Sequence, residues 1–188
     1  MIREHRGVPV LGIAAWSGTG KTTLLTRLIP LLREAGLRLA LIKHAHHTFD
    51  IDHPGKDSYE LRKAGADQIL LGSRERLAVI RERRVAEPTL EEMLALVDTD
   101  SADLILVEGF KHEALRKIEL HRPALGRPLL FPEDPGIIAV ACDAPLPRAT
   151  TLPLLTLGDP AGVARFILEE VLGRAPQPIP QPQAQERS

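Results

Sequence analysis

The stretch AAWSGTGKTT, Ala14–Thr23, has the residue types and spacing of a phosphate-binding loop. It fits the Walker A pattern except that Ala15 replaces the first glycine. In such a loop, backbone N–H groups surround the phosphates at a helix N-terminus, and the lysine stabilises their charge during phosphoryl transfer. We predict that Lys21 is the catalytic cation and that Thr22 ligates Mg²⁺. The residues predicted to hold the nucleotide are Ser17, Gly18, Thr19, Gly20, Lys21, Thr22 and Thr23.

A second metal ligand is expected from a carboxylate that follows a buried strand next to the loop. The segment LILVEGF provides Glu108 at that position, directly after an apolar run. Asp103 competes for the role, but it precedes the same run and therefore belongs to the opposite edge of the sheet. We predict that Glu108 binds Mg²⁺ with Thr22, the alternative being a solvated loop carboxylate.

A stretch rich in histidine, lysine and aspartate follows the second predicted strand, at the same sheet edge as the loop. We predict that Lys43 and His44 bind the nucleotide there, and lysines and histidines of this stretch could contact its γ-phosphate, as a switch, or a phosphorylated substrate. The cluster from His44 to His53, which includes His46 and His47, has a second interpretation as a transition-metal site. A polar surface loop is the third interpretation. The histidine spacing matches no standard zinc pattern.

A possible base-recognition residue is Asp143, at the end of the segment AVACD. Its carboxylate could accept hydrogen bonds from guanine N1 and N2. An ordinary turn aspartate before Pro145 is an equally good interpretation. The sequence contains no N-K-x-D motif, so it offers no Ras-like route to guanine specificity.

Apolar runs and helical periodicities alternate along the chain. The strongest runs, VPVLGIAA, ADLILV and GIIAVA, predict strands that are buried on both faces. The alternation predicts an α/β, P-loop NTPase-like fold with a mostly parallel sheet and helices on both faces. Two alternating segments between Asp67 and Arg83 predict a β-hairpin insertion. Residues 1–173 are predicted to form a single nucleotide-binding domain, and the Pro/Gln-rich residues 174–188 a disordered tail.

Composition and charge argue against several other classes of protein. Lysine plus arginine (24) nearly equal aspartate plus glutamate (25), giving a formal charge of −1 that does not suit a dedicated nucleic-acid binder. The single cysteine, Cys142, suits a reducing compartment. No apolar run approaches the roughly 20 residues of a membrane-spanning helix, and the N-terminus has no signal-peptide core. We expect a cytoplasmic protein that binds neither nucleic acid nor a membrane.

Four blocks in this order resemble the MobB family of molybdopterin-guanine dinucleotide biosynthesis adapters: AAWSGTGKTTLL, LIKHAHH, PGKDSYELRKAGA and DLILVEGFKHE. The resemblance covers residues 8–118 strongly and implies that Ala15 is an accepted variant of the loop. It implies a homodimer that binds GTP with Mg²⁺, hydrolyses it slowly, and assists a MobA-type guanylyltransferase and other molybdenum-cofactor enzymes. It also makes the hairpin at residues 67–83 the expected dimer contact. Preference for GTP over ATP follows from the resemblance alone.

Two other functions remain open from the residues. A GTPase that delivers nickel or another metal would use His44, His46 and His47 as ligands. A P-loop kinase for a small metabolite would need a basic lid over the transferred phosphate. The segment GSRERLAVIRERR has the arginines for a lid, but its alternation fits a hairpin better. The sequence therefore favours a GTP-binding adapter that is a weak GTPase at most.

Overall fold

The structure is a computed structural model that describes residues 1–45, 50–83 and 86–175. The chain divides into two compact units, which are described separately. One unit comprises Met1–His44 and Leu90–Ser188, and the other comprises Ala45–Thr89. The expectation of a single domain over residues 1–173 stays a prediction. The predicted disordered tail lies outside the described residues, apart from its first two positions.

The order of helices and strands alternates as the sequence predicts. In chain order the elements are β1 (Glu4–His5), β2 (Val8–Ala15), α1 (Lys21–Glu34), β3 (Leu39–Lys43), α2 (Asp57–Lys63), β4 (Gln68–Gly72), β5 (Leu77–Arg81), α3 (Leu90–Leu94), β6 (Leu104–Glu108), β7 (Lys117–His121), β8 (Ile137–Cys142), β9 (Leu154–Thr156) and α4 (Pro160–Phe166). A π-helical turn, Ile167–Val171, extends α4.

The first unit is built on one sheet whose strands run in the order β3-β6-β2-β7-β8-β9, all parallel to their neighbours. The short strand β1 adds an antiparallel pairing at the start of β2. Parallel strands bring their carboxyl ends to one edge, so the segments that follow β2, β3, β6, β7 and β8 all begin there. The predicted α/β fold with a mostly parallel sheet is therefore confirmed, and this edge carries the candidate site.

Helices cover both faces of this sheet, as predicted. One face of β2, β6, β7 and β8 packs against α1 and α4, whose inward side chains include Leu28 and Val163. The other face of β2 and β6 forms a smaller core with α3 through Leu90 and Leu94. Both central strands are apolar on both sides because each side faces a packed layer. Because β2 and β6 are packed on both faces, the positions of their carboxyl ends are fixed.

Strand β7 differs from its neighbours because its alternating ionisable residues are also buried. Lys117, Glu119 and His121 are 1%, 0% and 2% exposed, respectively. The two carboxylate oxygens of Glu119 accept hydrogen bonds from the backbone N–H groups of Leu130 and Phe131, at 2.8 and 2.9 Å. Burial raises the pKa of the Glu119 carboxyl, and these two donors oppose that rise. The segment between β7 and β8 is thereby attached to the sheet.

The second unit contains the predicted hairpin. Strands β4 and β5 pair antiparallel, with Leu70 opposite Val79 and Gly72 opposite Leu77. Leu70, Val79 and Leu77 share one face, and their exposed fractions are 65%, 48% and 73%. Arg62 of α2 is ion-paired with Glu82 just beyond the hairpin, at 2.7 Å. The hairpin therefore presents an apolar face that the described residues of its own unit leave open.

No helix in the described part of the chain is both long enough and apolar enough to cross a bilayer.

Candidate phosphate-binding site

The loop between β2 and α1 has the backbone geometry of a phosphate-binding loop. Gly18 and Gly20 have φ of 81° and 103°, and Gly20 occupies the N-cap position of α1. An L side chain at Gly20 would be strained at this φ, so glycine is required there. Among the described residues, no side chain caps the start of α1. The first N–H groups of this 14-residue helix are thus directed toward the carboxyl edge of the sheet, where an anion is favoured.

Lys21 begins α1 and folds back over the loop. Its Nζ donates to the carbonyls of Ala15 and Trp16, at 3.2 and 3.3 Å. Burial lowers the pKa of Lys21, and the neighbouring ammonium groups of Lys111 and Lys43 lower it further, while Glu108 opposes them. An ammonium in this setting gains from the arrival of negative charge. Ala15 itself is buried in the first core, so its methyl group is accommodated.

Glu108 lies at the carboxyl edge, on the central strand β6 between β2 and β3. It is 9% exposed, and Lys43 is its register partner on β3. The Nζ of Lys43 lies 3.4 Å from Glu108 Oε2. The predicted metal ligand Glu108 and the predicted phosphate contact Lys43 are therefore neighbours, beside Lys21. A carboxylate at this position has the oxygen chemistry that Mg²⁺ prefers.

The chain leaves β6 in a sharp turn that brings His44 close. Gly109 has φ of 94°, and a Cβ atom there would lie 2.7 Å from His44 Cβ, so only glycine fits. Phe110 follows with φ of 48°, a sparsely populated conformation for a residue that is not glycine. Its ring lies 4.5 Å from the His44 ring, centre to centre. His44 N–H also donates to the Glu108 carbonyl, at 2.9 Å. His44 is thus placed beside Glu108 at the carboxyl edge of the sheet, and its contact with phosphate stays a prediction.

Asp143 follows β8 and is engaged by an arginine that the sequence analysis missed. Arg122 Nη1 lies 2.6 Å from Asp143 Oδ2, and Arg122 Nε donates to the Thr19 carbonyl at 2.8 Å. Arg122 therefore joins Asp143 to the phosphate loop. Glu108 was identified because it comes at the carboxyl end of a strand. The same argument would have identified Arg122, which is the first residue after β7.

Trp16 of the loop is surrounded by basic residues that the sequence analysis also missed. Its Nε1 donates to the Pro128 carbonyl at 2.8 Å. Lys111 Nζ lies 4.0 Å from the ring centre, within the range of a cation–π contact, and Arg127 Cζ lies 6.0 Å from it. Three basic side chains, those of Lys111, Arg122 and Arg127, therefore lie at the phosphate loop in addition to Lys21 and Lys43. Together they favour an anionic ligand.

The remaining predicted residues lie on the loop, on the first turn of α1 or outside the described residues. Thr19 is buried, and its hydroxyl donates to the Trp16 carbonyl at 2.8 Å. Ser17, Thr22 and Thr23 are exposed on the loop and on the first turn of α1. His46, named in the alternative metal site, lies outside the described residues, as does His47. Over residues 1–45, 50–83 and 86–175, no group of three His, Cys, Asp or Glu side chains is placed to hold a metal ion.

The sheet order, the glycine-rich loop before α1 and the carboxylate on the neighbouring strand define a P-loop NTPase-like α/β protein. Comparison with known families narrows this class. The chain belongs to the family described as "Molybdopterin guanine dinucleotide synthesis protein B", whose model matches residues 10–143. The family resemblance seen in the sequence is thereby confirmed.

Two curated relatives are similar to this protein over most of the chain. A molybdopterin-guanine dinucleotide biosynthesis adapter protein of Escherichia coli (strain K12) is 51% identical over 164 residues, covering 86% of this chain and 93% of the relative. The adapter protein of the same name from Haemophilus influenzae is 44% identical over 154 residues, covering 81% and 84%.

Solved structures support the same fold. A crystal structure described as molybdopterin-guanine biosynthesis protein B (mobB) superposes with a TM-score of 0.67 at 30% identity, covering 87% of this chain and 99% of that one. A MobB homologue from Bacillus stearothermophilus superposes with a TM-score of 0.64 and covers 88% and 99%. At 24% identity, the second structure is similar in fold only.

Proposed function

We propose that this protein is a GTP-binding adapter of molybdopterin-guanine dinucleotide biosynthesis, with weak Mg²⁺-dependent GTPase activity. The observation that carries the proposal is the position of Lys21 in a phosphate-binding loop beside the buried carboxylate of Glu108. The assignment to this pathway and to an adapter role comes from the names of the relatives.

The loop supplies the groups that a nucleoside triphosphate needs. Backbone N–H groups from Gly18 to Thr22 would hold the phosphates, assisted by the hydroxyls of Ser17 and Thr23. Lys21 Nζ, which now donates only to carbonyls at 3.2–3.3 Å, would exchange these for charge-assisted bonds to phosphate oxygens. The gain in charge pairing favours the exchange, because the ammonium is partly desolvated where it lies.

A magnesium ion fits the donors at this edge. Thr22 is exposed on the first turn of α1, and Glu108 lies on the adjoining strand. These two residues would hold the ion, which would supply positive charge to offset that of the phosphates. Lys43, now 3.4 Å from Glu108, and His44 beside it would face the terminal phosphate. Lys21, Lys43 and Lys111 outnumber the carboxylate of Glu108 here, so the arrival of phosphate charge is favoured.

Guanine selectivity and slow turnover complete the proposed activity. We propose Asp143 as the acceptor for guanine N1 and N2, with its carboxylate oriented by Arg122. Lys21 and the loop amides would stabilise charge on the γ-phosphate during in-line attack by water. After Glu108-Gly109 the chain continues with Phe110 rather than a water-positioning glutamine. Slow hydrolysis is the expected result.

An adapter needs surfaces for partners, and we propose that the hairpin provides one. The apolar face of Leu70, Leu77 and Val79 is exposed on a two-stranded sheet, which is rarely stable in water by itself. A second copy of the chain covering this face would give a symmetric homodimer. The other proposed partner is the MobA-type guanylyltransferase, which attaches GMP to the pterin phosphate.

Calorimetry with GTP and ATP, each with Mg²⁺, tests the proposed nucleotide site. We expect the native chain to prefer GTP, and Lys21→Ala to weaken binding by roughly 100-fold, because two or more charge-assisted bonds are lost. Arg33→Ala is the matched control, since it removes an exposed cation from the other end of α1. The same preparations, incubated with GTP, should release phosphate slowly.

Three results would count against the proposal. Absence of nucleotide binding by the native chain would remove the site altogether. Equal affinity for GTP and ATP would remove the guanine assignment and favour the kinase alternative, which phosphoryl transfer to an added acceptor would then identify. Failure to retain a MobA-type enzyme, with or without GTP, would remove the adapter role.

A further inference from the structure

The side chain of Arg122 connects two segments that sequence patterns treat separately. It follows β7, which lies in the sheet between β2, the strand that leads into the phosphate loop, and β8, the strand that leads into Asp143. His121 and Cys142 are register partners, so the next residues on the two strands, Arg122 and Asp143, emerge side by side. The topology therefore places Arg122 between the loop and Asp143.

The contact with the loop is made at one peptide group. Arg122 Nε donates to the Thr19 carbonyl at 2.8 Å, and a Cβ atom built on Gly20 would lie 3.5 Å from Arg122 Nη2. A trans peptide is planar, so the Thr19 carbonyl and the Gly20 N–H point in opposite directions. With the Thr19 carbonyl directed toward Arg122, the Gly20 N–H is directed away from Arg122. That N–H is one of the donors a phosphate would use.

We infer that Arg122 is a positioning residue that orients the Thr19–Gly20 peptide for phosphate binding, and that Asp143 holds Arg122 in place. Asp143 Oδ2 lies 2.6 Å from Arg122 Nη1, and the two side chains are 32% and 40% exposed. A planar guanidinium can serve a carbonyl and a carboxylate at fixed angles, which an ammonium cannot do. The residue at the proposed base site thereby influences the phosphate site.

This inference rests on the proposed nucleotide site, and inorganic tripolyphosphate is the probe that isolates it. Tripolyphosphate has no base, so Asp143 has nothing of its own to recognise. Electrostatics alone predicts that Asp143→Asn strengthens tripolyphosphate binding, because a negative charge is removed from the neighbourhood of an anion. The inference predicts the opposite sign, because Arg122 loses its anchor. The direction of the change therefore separates the two explanations.

Calorimetry with tripolyphosphate and Mg²⁺ measures how each variant changes the affinity of the loop. Arg122→Lys keeps the charge and should weaken binding roughly tenfold, since the peptide is no longer held by a forked donor. Asp143→Asn should weaken binding roughly threefold. In the Arg122→Lys background, Asp143→Asn should cause no further loss. The matched control is Arg38→Gln, which breaks a comparable ion pair with Asp103 at the opposite edge of the sheet and should leave binding unchanged.

Hydrogen exchange without any ligand gives an independent measure. The amides of residues 16–22 should exchange several-fold faster in Arg122→Lys and in Asp143→Asn than in Arg38→Gln or the native chain. Tighter or unchanged tripolyphosphate binding by Asp143→Asn, or loop exchange at the native rate in both variants, would overturn the inference. If the native chain binds neither GTP nor tripolyphosphate, the proposed function fails, and the exchange rates alone decide whether Arg122 orders the loop.

Discussion

Lys111 Nζ lies 4.0 Å from the centre of the Trp16 ring, so an ammonium group rests on the only tryptophan of the chain. The carbonyl of Trp16 also accepts a hydrogen bond from Lys21, at 3.3 Å. Nucleotide phosphates at the loop would compete for both ammonium groups. Indole emission should therefore report the occupancy of the phosphate loop directly.

Adding GTP and Mg²⁺ to the native chain is expected to change the emission of Trp16, saturating at the affinity measured by calorimetry. Lys111→Met removes the cation from the ring, so it should change the emission of the free protein and reduce the response to nucleotide. Lys21→Ala should give no response at concentrations that saturate the native chain, whereas Arg33→Ala should respond normally. Calorimetric binding with unchanged emission would contradict this prediction.

A second prediction concerns Glu108 as a metal ligand. Glu108→Gln should reduce the gain in GTP affinity produced by Mg²⁺ by roughly 10- to 100-fold, the size of effect found when a supporting residue of a metal site is changed. Without Mg²⁺ the same variant should bind GTP slightly more tightly, because a negative charge is lost and Lys43 is released from its 3.4 Å contact. Titrations with and without Mg²⁺ measure the difference.

The matched control for Glu108 is Asp103→Asn, which neutralises a carboxylate just before the same strand. It lies at the opposite edge of the sheet and should leave the Mg²⁺ effect intact. Equal loss of GTP affinity in Glu108→Gln with and without Mg²⁺ would mean that Glu108 supports the loop and does not hold the ion.

Much of the fold followed from sequence because the central strands are apolar on both faces. The sequence predicts Val8–Ala15 with its observed bounds, and it places Glu108 at the end of a buried run, where β6 ends in the structure. The two-residue strand β1, Glu4–His5, was missed because so short a segment has no periodicity. The sequence was sufficient to place a residue wherever its position depends on a single strand or helix.

Strand β7 shows where sequence pattern is insufficient. Its alternation of charged and apolar residues suggests a sheet face in water, yet Lys117, Glu119 and His121 are buried. Lys117 is paired with Asp134 and Glu119 with the backbone of Leu130 and Phe131, all on the segment after the strand, and pairing over that distance has no local signature. The end of β7 places Arg122 at the carboxyl edge, but the sequence does not indicate its two partners, Thr19 and Asp143, which are far from it along the chain.

A third prediction concerns the buried charge of Lys117. Its Nζ lies 2.6 Å from Asp134 Oδ2 and donates to the carbonyls of Lys111 and Glu113. Lys117→Met should lower the free energy of unfolding by about 3–5 kcal/mol, because Asp134 loses its buried partner and two carbonyls lose their donor. Urea denaturation measures the change.

The double variant Lys117→Met with Asp134→Asn is the control for this ion pair. It should recover part of the loss, since no unpaired carboxylate remains. Native stability in Lys117→Met alone would show that the ammonium is not needed there, and additive losses in the double variant would show that the two residues act separately.

A fourth prediction tests the hairpin as the dimer contact. Val79→Lys, or Leu70→Lys opposite it, should convert the proposed dimer to monomer, weakening association by roughly 100-fold, because a symmetric interface loses each apolar contact twice. Sedimentation velocity over a range of concentrations measures this. Leu154→Lys is the matched control, since Leu154 is 57% exposed on another strand. A native chain that is monomeric, or a dimer unaffected by both hairpin variants, would refute this interface.

The last prediction concerns pH and the ion pair at the opposite edge of the sheet. Arg38 Nη2 lies 2.8 Å from Asp103 Oδ1, and its hydrogen bonds lower the pKa of Asp103 to about 2, below the value of about 3.9 expected for an unfolded chain. A carboxyl whose pKa is depressed by folding contributes stability above its unfolded pKa and loses that contribution as pH falls through its folded pKa. The contribution of the pair should therefore be complete above about pH 4 and disappear near pH 2.

Comparing the native chain with Arg38→Gln in urea at pH 6, 4, 3 and 2 tests this sign. The native chain should be more stable at pH 6, and the difference should shrink between pH 4 and 2, because protonated Asp103 no longer needs the guanidinium. Added salt should reduce the difference at pH 6, since both side chains are partly exposed. In an Asp103→Asn background the Arg38→Gln substitution should have an effect that does not vary with pH. A difference that grows on acidification would mean that another titrating group controls Arg38.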